Sequence, residues 1–315
     1  MLSNKRISPD KSLLPLLNML APLIMTLPEI LLSIDRTDWK QRGVPVNILS
    51  VSIYIYGRTI PLYWKVKNQS GNSSLEEQKE VIQPVLDVLR SIQQLKNMHI
   101  HVVGDREFSS PKLPAWLFRT YKVDSTFRIK KSFYLSDGQR ADTKVADHLS
   151  KLKRGQSKFL KKQIVTKNSD FPLNVILIWI SSYHEPIVIM TTLKSKKKAR
   201  NYYSKRFGIE PMHKDYKSNI YDIEGTRVTN AKRIETLIIP IALALALGML
   251  EGVRREREQE TTRAHKKQRS VGLAWEGIRA FTKAFRATTI DRIEAFWQQL
   301  FSYYNFTWIN YKIPI

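Results

Sequence analysis

The sequence predicts an α/β fold in which helices pack on a mixed sheet. Three patterns support this class: strand-like runs near the start, a long amphipathic helical pattern followed by another strand-like run, and later helical segments that come after a β-rich stretch. With 315 residues and a hydrophobic fraction of 43%, the chain can bury a substantial core. A chain that is disordered throughout is therefore excluded.

The first half is predicted to consist of strands around one helix. Asn72, Ser73 and Ser74 can cap a helix over 75–96, which Pro84 is expected to kink. The predicted strands of this half are 29–35, 46–56, 59–65, 99–104 and 126–131.

The second half changes character after Lys131. Residues 132–193 alternate basic turns with β-like runs, which predicts a β-rich insertion, and helical patterns follow over 196–217 and 231–255. A last, aromatic-rich helical piece begins at Trp275. The predicted organisation is an apolar, helical lead-in over 1–29, a core in two parts over 30–132 and 196–255, the insertion over 133–195, and a basic, helical C-terminal segment over 256–315.

Charge is the most unusual property of the composition. There are 52 Lys and Arg against 28 Asp and Glu, a net charge of +24. Such an excess favours a polyanionic partner, with nucleic acid ahead of an anionic membrane. Because the chain has no cysteine, disulfides, cysteine-bound zinc and a thiol nucleophile are excluded, and a reducing intracellular compartment is indicated.

Two apolar stretches bear on the membrane alternative. Residues 12–34 follow Lys5 and Arg6, but they contain three prolines and have no small-residue cleavage site, which argues against a signal peptide. Leu237–Leu250 has 14 residues, fewer than the roughly 20 that a spanning helix needs. A buried core helix is the favoured interpretation of this second stretch.

Two aspartates, Asp35 and Asp105, each end a predicted strand. A carboxylate at the end of a buried strand is costly unless something binds it, and carboxylate oxygens suit hard cations such as Mg²⁺. The alternative is an ordinary turn or N-cap residue. Asp38 and Glu107 lie close by in the sequence, and spacing alone does not show which of the four carboxylates would bind a metal ion.

A third cluster combines a carboxylate with phosphate-binding side chains. Its members, separated by 3, 4 and 7 residues and so on one face of a helix, are Tyr203, Arg206, Glu210 and Lys217. Such a face could meet phosphates and a metal ion, or it could be an amphipathic helix with ordinary salt bridges. Pro211 is expected to kink the helix directly after Glu210.

The string YSKRFGIEPMHKDYK fits the pattern Y-x2-R-x3-E-x6-K and resembles the signature of DDE-type insertion-sequence transposases of the IS-four family. IDRTDW around Asp35 and VVGDREF around Asp105 resemble the first and second aspartate motifs of that family. The three motifs also occur in the family's order. The resemblance covers about Ile30–Met249.

This resemblance implies an RNase H-like mixed sheet flanked by helices, with Glu210 on the helix that follows the β-rich insertion. It implies a pair of Mg²⁺ ions, which Mn²⁺ can replace, held by Asp35, Asp105 and Glu210 for cleavage and strand transfer at insertion-sequence ends. Tyr203, Arg206 and Lys217 would contact the DNA backbone. The implied partner is double-stranded DNA bound by a homodimer in the cytoplasm, associated with the nucleoid and without a membrane role.

Further basic residues are candidates for DNA contacts. Lys130 and Lys131 follow the last strand of the first half, and Lys198 precedes Tyr203. Each could bind phosphate or could simply be a solvated surface residue. His213 could join the same face or have an ordinary surface role.

The N-terminal region departs from the family pattern. Members usually carry a sizeable helical region before the first aspartate, which recognises the element's terminal repeats, whereas 34 residues precede Asp35 here. We therefore expect a truncated copy, the product of an internal start, or a member with a different recognition scheme; in the first two cases recognition of specific ends would be lacking. Two rival functions stay open: a truncated, catalytically incompetent DNA-binding remnant, and a peripheral membrane protein that uses its apolar N-terminus and basic surface.

Overall fold

Helices flank one large, mostly antiparallel sheet in the computed structural model, so the predicted α/β class is confirmed. The structure describes residues 4, 6–138, 142–166, 169–214, 221–260, 273–286 and 290–304. Its strands are β1 (Ile30–Gln41), β2 (Val44–Ile55), β3 (Arg58–Lys67), β4 (Ile100–Gly104), β5 (Asp124–Arg128), β6 (Tyr134–Ser136), β7 (Thr143–Lys144), β8 (Ser157–Val165), β9 (Pro172–Ile178) and β10 (Ile187–Thr191).

The helices lie between and after these strands. The α-helices are α1 (Pro9–Ile24), α2 (Leu75–Ser91), α3 (Lys112–Tyr121), α4 (Val145–Ser150), α5 (Lys196–Lys205), α6 (Ile209–Lys214), α7 (Ala231–Glu260), α8 (Leu273–Arg286) and α9 (Ile290–Tyr303). Short 3₁₀ turns occupy Arg106–Phe108 and Arg206–Gly208.

Strand order in the sheet is β3-β2-β1-β4-β5-β10-β9-β8-β6-β7. The parallel neighbours are β1 with β4 and β4 with β5, and the other pairings are antiparallel. The β1–β2 and β2–β3 connections are tight hairpins, in which Arg42-Gly43 and Tyr56-Gly57 all have positive φ. Two successive residues of positive φ are the requirement of a type I′ turn, whose twist matches that of the strands.

The β-rich stretch continues the same sheet. Strand β10 pairs antiparallel with β5, with Met190 opposite Phe127 and Thr191 opposite Thr126. Strands β9 and β8 follow β10 in order, so the basic β8 is joined to the first half through continuous hydrogen-bonded strands.

The predicted cap of α2 is confirmed. Glu77 N–H donates to the Ser74 hydroxyl (3.2 Å), and Ser74 N–H donates to the Glu77 carboxylate (2.7 Å). This reciprocal capping box satisfies two free N–H groups of the first turn. The helix ends at Ser91 instead of residue 96, because Ile92 already has an extended conformation.

The apolar stretch over 237–250 lies within the longer helix α7, which packs against α1 and β3. Within the described residues, Ala231–Glu258 is long and apolar enough to cross a membrane by length and composition, but 72% of its apolar window is buried inside the protein. The core helices of soluble proteins share this property. The expectation of a buried core helix is therefore confirmed.

The charged end of α7 is partly buried. Glu251 has no exposed surface, and Arg254 is 9% exposed. Arg254 donates to both Glu251 oxygens (2.8 and 2.9 Å), and Arg255 donates to one of them (2.5 Å). Two arginines thus compensate the charge of one buried carboxylate. Burying that charge without partners would be very costly in free energy.

Helices α7 and α8 approach each other closely at three glycines. A Cβ at Gly248 would lie 2.7 Å from the carbonyl oxygen of Ala274, a Cβ at Gly252 would overlap the Leu273 carbonyl, and one at Gly277 would overlap the Gly248 carbonyl. Glycine is therefore required at this contact because any side chain would push the two helices apart.

Replacing Gly277 by Ala should lower the free energy of unfolding by about 1–3 kcal/mol, the usual cost of overpacking a well-packed contact. Chemical denaturation checks this value. Lys283→Ala, an exposed change on the same helix, is the control and should leave stability nearly unchanged. A Gly277→Ala variant as stable as wild type would contradict the close approach of α7 and α8.

Candidate functional site

Asp35 and Asp105 lie side by side where the parallel pairing of β1 and β4 ends. The last paired residues are Ile34 and Gly104, and the two aspartates follow them directly. Because neighbouring strands are about 4.8 Å apart, the two carboxylates leave the sheet as neighbours. Asp35 does not end its strand as expected, since β1 continues to Gln41 by pairing with β2 alone.

Gly104 allows the backbone to reach this point. A Cβ there would lie 2.9 Å from the Phe127 ring and 3.0 Å from side-chain atoms of both Ile34 and Phe108. A larger residue would displace β4 at the position directly before Asp105. The glycine therefore sets the location of this aspartate through packing.

The Asp35 side chain is 18% exposed, and its Oδ2 lies 3.7 Å from Nδ1 of His213 on α6. Burial raises the pKa of Asp35 to about 6; the Arg36 N–H and the charge of Arg206 oppose this rise, and the charge of Asp105 adds to it. Loss of solvation is therefore the largest influence on this carboxyl group.

Asp105 contacts two polar side chains. The Tyr203 hydroxyl donates to Asp105 Oδ1 (3.2 Å), and Arg128 Nη1 lies 3.8 Å from the same oxygen. Burial, followed by the charge of Asp105, raises the pKa of Tyr203 to about 12. Tyr203 thus stays protonated and orients Asp105, a contact that the sequence pattern did not predict.

Glu210 is not gathered with the two aspartates. Its side chain is 62% exposed, and its Oε1 lies 3.4 Å from Arg206 Nη2. Among the described residues, no three His, Asp or Glu side chains lie close enough together to hold a metal ion. The structure brings Asp35, Asp105 and Tyr203 together and leaves Glu210 on the outer side of Arg206.

The helix carrying this cluster breaks before Glu210, not after it as expected. Helix α5 ends at Lys205, and α6 begins at Ile209, which places Pro211 in a first turn where its missing N–H costs little. Gly208 in the break packs on β2, where a Cβ would lie 3.0 Å from the Tyr54 ring. Tyr203 and Glu210 therefore do not share one continuous helical face.

Arg206 is buried between the carboxylates. It is 5% exposed, and its Cζ lies 4.6 Å from the centroid of the Phe207 ring. Burial lowers the guanidinium pKa, but the neighbouring groups outweigh it and raise the pKa above its ordinary value. Those groups are Tyr203, Asp105, Asp35 and Glu210. In this arrangement Arg206 compensates acidic groups and does not present a free surface to phosphate.

The lysines chosen as DNA contacts are exposed where the structure describes them. Lys130, Lys131 and Lys198 are all on the surface, and Lys131 Nζ lies 3.0 Å from Glu185 Oε2. Lys217 lies outside the described residues. His213, which was expected either on the phosphate-binding face or in an ordinary surface role, lies beside Asp35. Arg128 was not assigned to the site, although the parallel pairing of β5 with β4 places it near Asp105.

An open groove of about 510 Å³ lies beside Tyr203. Ile180, Tyr183 and Phe207, all more than a third exposed, line its apolar part, and Arg200 lies on its basic part. A groove that combines exposed aromatic rings with cations suits the bases and backbone of a nucleic acid strand.

Replacing Asp35 by Asn should stabilise the metal-free protein near pH 8. The folded pKa of about 6 exceeds the ordinary 3.8, so the folded state binds this proton more tightly than the unfolded state. The protonated carboxyl group therefore stabilises the folded state fully at a pH below the unfolded-state pKa, and this stabilisation is lost as the pH rises through the folded-state pKa of about 6. Near pH 8 the ionised Asp35 thus lowers the free energy of unfolding by roughly 3 kcal/mol.

Chemical denaturation in a metal chelator near pH 4 and near pH 8 measures this difference. Asp170 is the control, because its pKa is shifted in the opposite direction: a hydrogen bond from Arg119 lowers it. Asp170→Asn should therefore gain no stability at the higher pH. An Asp35→Asn variant that is no more stable than wild type near pH 8 would contradict the desolvation of this carboxyl group.

The family comparison covers Asp105, Tyr203 and Glu210 but not Asp35. No curated protein matches the chain. Among solved structures, the crystal structure of endonuclease V from Bacillus subtilis matches at 8% identity with a TM-score of 0.28, covering 57% of this chain and 72% of that chain, which is too low a score to carry an argument. The family model described as the transposase DDE domain matches residues 77–247, which include Asp105, Tyr203 and Glu210. Since this match covers more than half of the chain, the protein belongs to the transposase DDE domain family.

Proposed function

We propose that the protein is a DNA transposase that cleaves phosphodiester bonds and transfers strands at insertion-sequence ends with the help of a divalent cation. Asp35, Asp105 and Glu210 are the proposed metal ligands. The observation that carries the proposal is the adjacent, partly buried pair Asp35 and Asp105 at the end of the β1–β4 pairing, in a chain of the transposase DDE domain family.

The two aspartates fit a hard divalent cation. Both offer carboxylate oxygens, the preferred ligands of Mg²⁺, and desolvation has already raised the pKa of Asp35, so a nearby cation would relieve an existing electrostatic cost. Glu210 would complete the ligand set by giving up its contact with Arg206. A bound Mg²⁺ or Mn²⁺ would activate a water or hydroxyl nucleophile and stabilise the leaving oxygen.

The chain's own groups would orient the site and hold the substrate. Tyr203 donates a hydrogen bond to Asp105 and so fixes the direction of that carboxylate. Arg128 Nη1 lies 3.8 Å from the same oxygen. The exposed lysines Lys130, Lys131 and Lys198 would bind the DNA backbone. Arg206 would also reach phosphate in the proposed complex, once Glu210 has moved.

The sheet supports an RNase H-like interpretation of the first half. An antiparallel unit of β1–β3 stands beside the parallel neighbours β4 and β5. Asp35 lies on β1, and Asp105 directly follows the neighbouring strand β4. The IS-four assignment rests on the three sequence motifs. Double-stranded DNA is the proposed partner, bound by a homodimer in the cytoplasm.

A second candidate is a DNA-binding transposase remnant without catalytic activity. The position of Glu210 favours it, since this carboxylate is largely exposed and contacts Arg206 instead of the aspartates. Such a protein would keep its basic surface and bind DNA, but it would not cleave it.

Asp35→Asn, Asp105→Asn and Glu210→Gln should each reduce Mg²⁺- or Mn²⁺-dependent nicking of supercoiled DNA. Loss of even an outer partner of a metal ligand usually costs about 10- to 100-fold, so loss of a ligand should cost at least as much. Asp170→Asn, an exposed change, is the control and should keep wild-type activity. If the wild-type protein binds DNA but nicks it no faster than Glu210→Gln, the protein is the DNA-binding remnant without catalytic activity.

Replacing Lys130, Lys131 and Lys198 by Ala should weaken DNA binding and reduce its salt dependence. Each phosphate contact that is lost should lower the slope of log K against log salt by about 0.9. Fluorescence anisotropy over a series of salt concentrations measures the slope. Lys232→Ala, whose side chain is 69% exposed and pairs with Glu235 on α7, should leave it unchanged. A triple variant with the wild-type slope would show that this surface does not contact the backbone.

A further inference from the structure

The Glu107 carboxylate joins three separate segments of the chain. Arg36 Nε on β1 donates to Glu107 Oε2 (2.7 Å), and the N–H and hydroxyl of Ser73, in the loop before α2, donate to Oε1 (2.9 and 2.8 Å). The side chains of Glu107 and Arg36 are 15% and 17% exposed. Hydrogen bonds to a charged, partly buried carboxylate are stronger than neutral ones.

This ion pair lies directly beside the candidate aspartates in sequence but on the other face of the sheet. Arg36 follows Asp35 within β1, so the two side chains point to opposite faces. Asp35 faces His213 on α6, whereas Arg36 faces Glu107 and Ser73. Glu107 can therefore act on the aspartates through the backbone, and through its charge, which adds to the rise of the Asp35 pKa, without contacting what they bind.

The pair also bridges a gap in the hydrogen-bonded ladder. Parallel pairing between β1 and β4 ends at Ile34 and Gly104, just before both aspartates. Beyond this level, the Arg36–Glu107 contact joins the segment that carries Asp35 to the 3₁₀ turn that follows Asp105.

We propose that Glu107 is a positioning residue that, through Arg36 and Ser73, fixes the separation of the Asp35 and Asp105 carboxylates and so sets their affinity for a divalent cation. This role presupposes the proposed function. Carboxylates that bind one ion must be held to within about 0.5 Å, which requires support behind them. Without Glu107, Arg36 would turn toward Asp38, which lies 3.6 Å away and is 59% exposed, and the bridge to the Asp105 turn would be lost.

Glu107→Gln should weaken Mn²⁺ binding to the DNA-free protein by about 10- to 100-fold, the usual effect of removing a group that orients metal ligands. Isothermal titration with Mn²⁺ alone measures this without any need for activity. The matched control is Glu235→Gln: Glu235 also accepts a backbone N–H, from Val66 (3.0 Å), and a cation, Lys232 (3.0 Å), but it lies on α7 against β3. It should lose comparable stability and keep wild-type Mn²⁺ affinity.

Wild-type Mn²⁺ affinity in Glu107→Gln would overturn the positioning role, and so would an equal loss in both variants. Because the Glu107 charge also acts on Asp35, Arg36→Lys tests the same bridge with the charges kept and only the Nε donor lost. Its Mn²⁺ affinity should fall too, and unchanged affinity there overturns the role, also if Glu107→Gln fails to fold. Asp35→Asn distinguishes a failure of the proposed metal site from a failure of the positioning role. If it binds Mn²⁺ like wild type, the proposed metal site fails together with the positioning role, whereas lost binding in Asp35→Asn with normal binding in Glu107→Gln overturns the positioning role alone.

Discussion

The candidate site depends on the point where two parallel strands stop pairing. Ile34 and Gly104 form the last pair, so the next residues, Asp35 and Asp105, leave the sheet together. Gly104 makes this possible because the surrounding side chains leave no room for a Cβ. The consequence is electrostatic: two carboxylates are placed side by side with little solvent around Asp35, and loss of solvation dominates its ionisation.

The protein compensates these carboxylates with groups from outside the two strands. Arg128 and Tyr203 contact Asp105, His213 stands beside Asp35, and buried Arg206 is influenced by both. In the proposed function the two arginines have two possible partners, carboxylate and DNA phosphate. A metal ion on the aspartates and a phosphate on the arginines would each make the other's binding more favourable, as linkage between two sites requires.

Local patterns were sufficient for most of the strands and for the cap of α2, since Ser74 and Glu77 act within one turn. They also placed Asp105 at the end of a strand, whereas the resemblance to the transposase family, and no local pattern, implied that Asp35 and Asp105 lie together. Long-range packing decided what they missed. At the break before Glu210, Gly208 packs on Tyr54 of β2, and the end of α7 that carries buried Glu251 packs on Leu273 of α8 and accepts a hydrogen bond from Tyr304. No helical or strand period contains that information.

The carboxylate of Glu235 has a consequence at the outer edge of the sheet. Strand β3 is an end strand, and an end strand normally offers free N–H groups to any extended chain. Here Glu235 accepts the Val66 N–H, and Pro61 has none to offer. Strand addition at this edge, and the aggregation that follows from it, is thereby made less favourable.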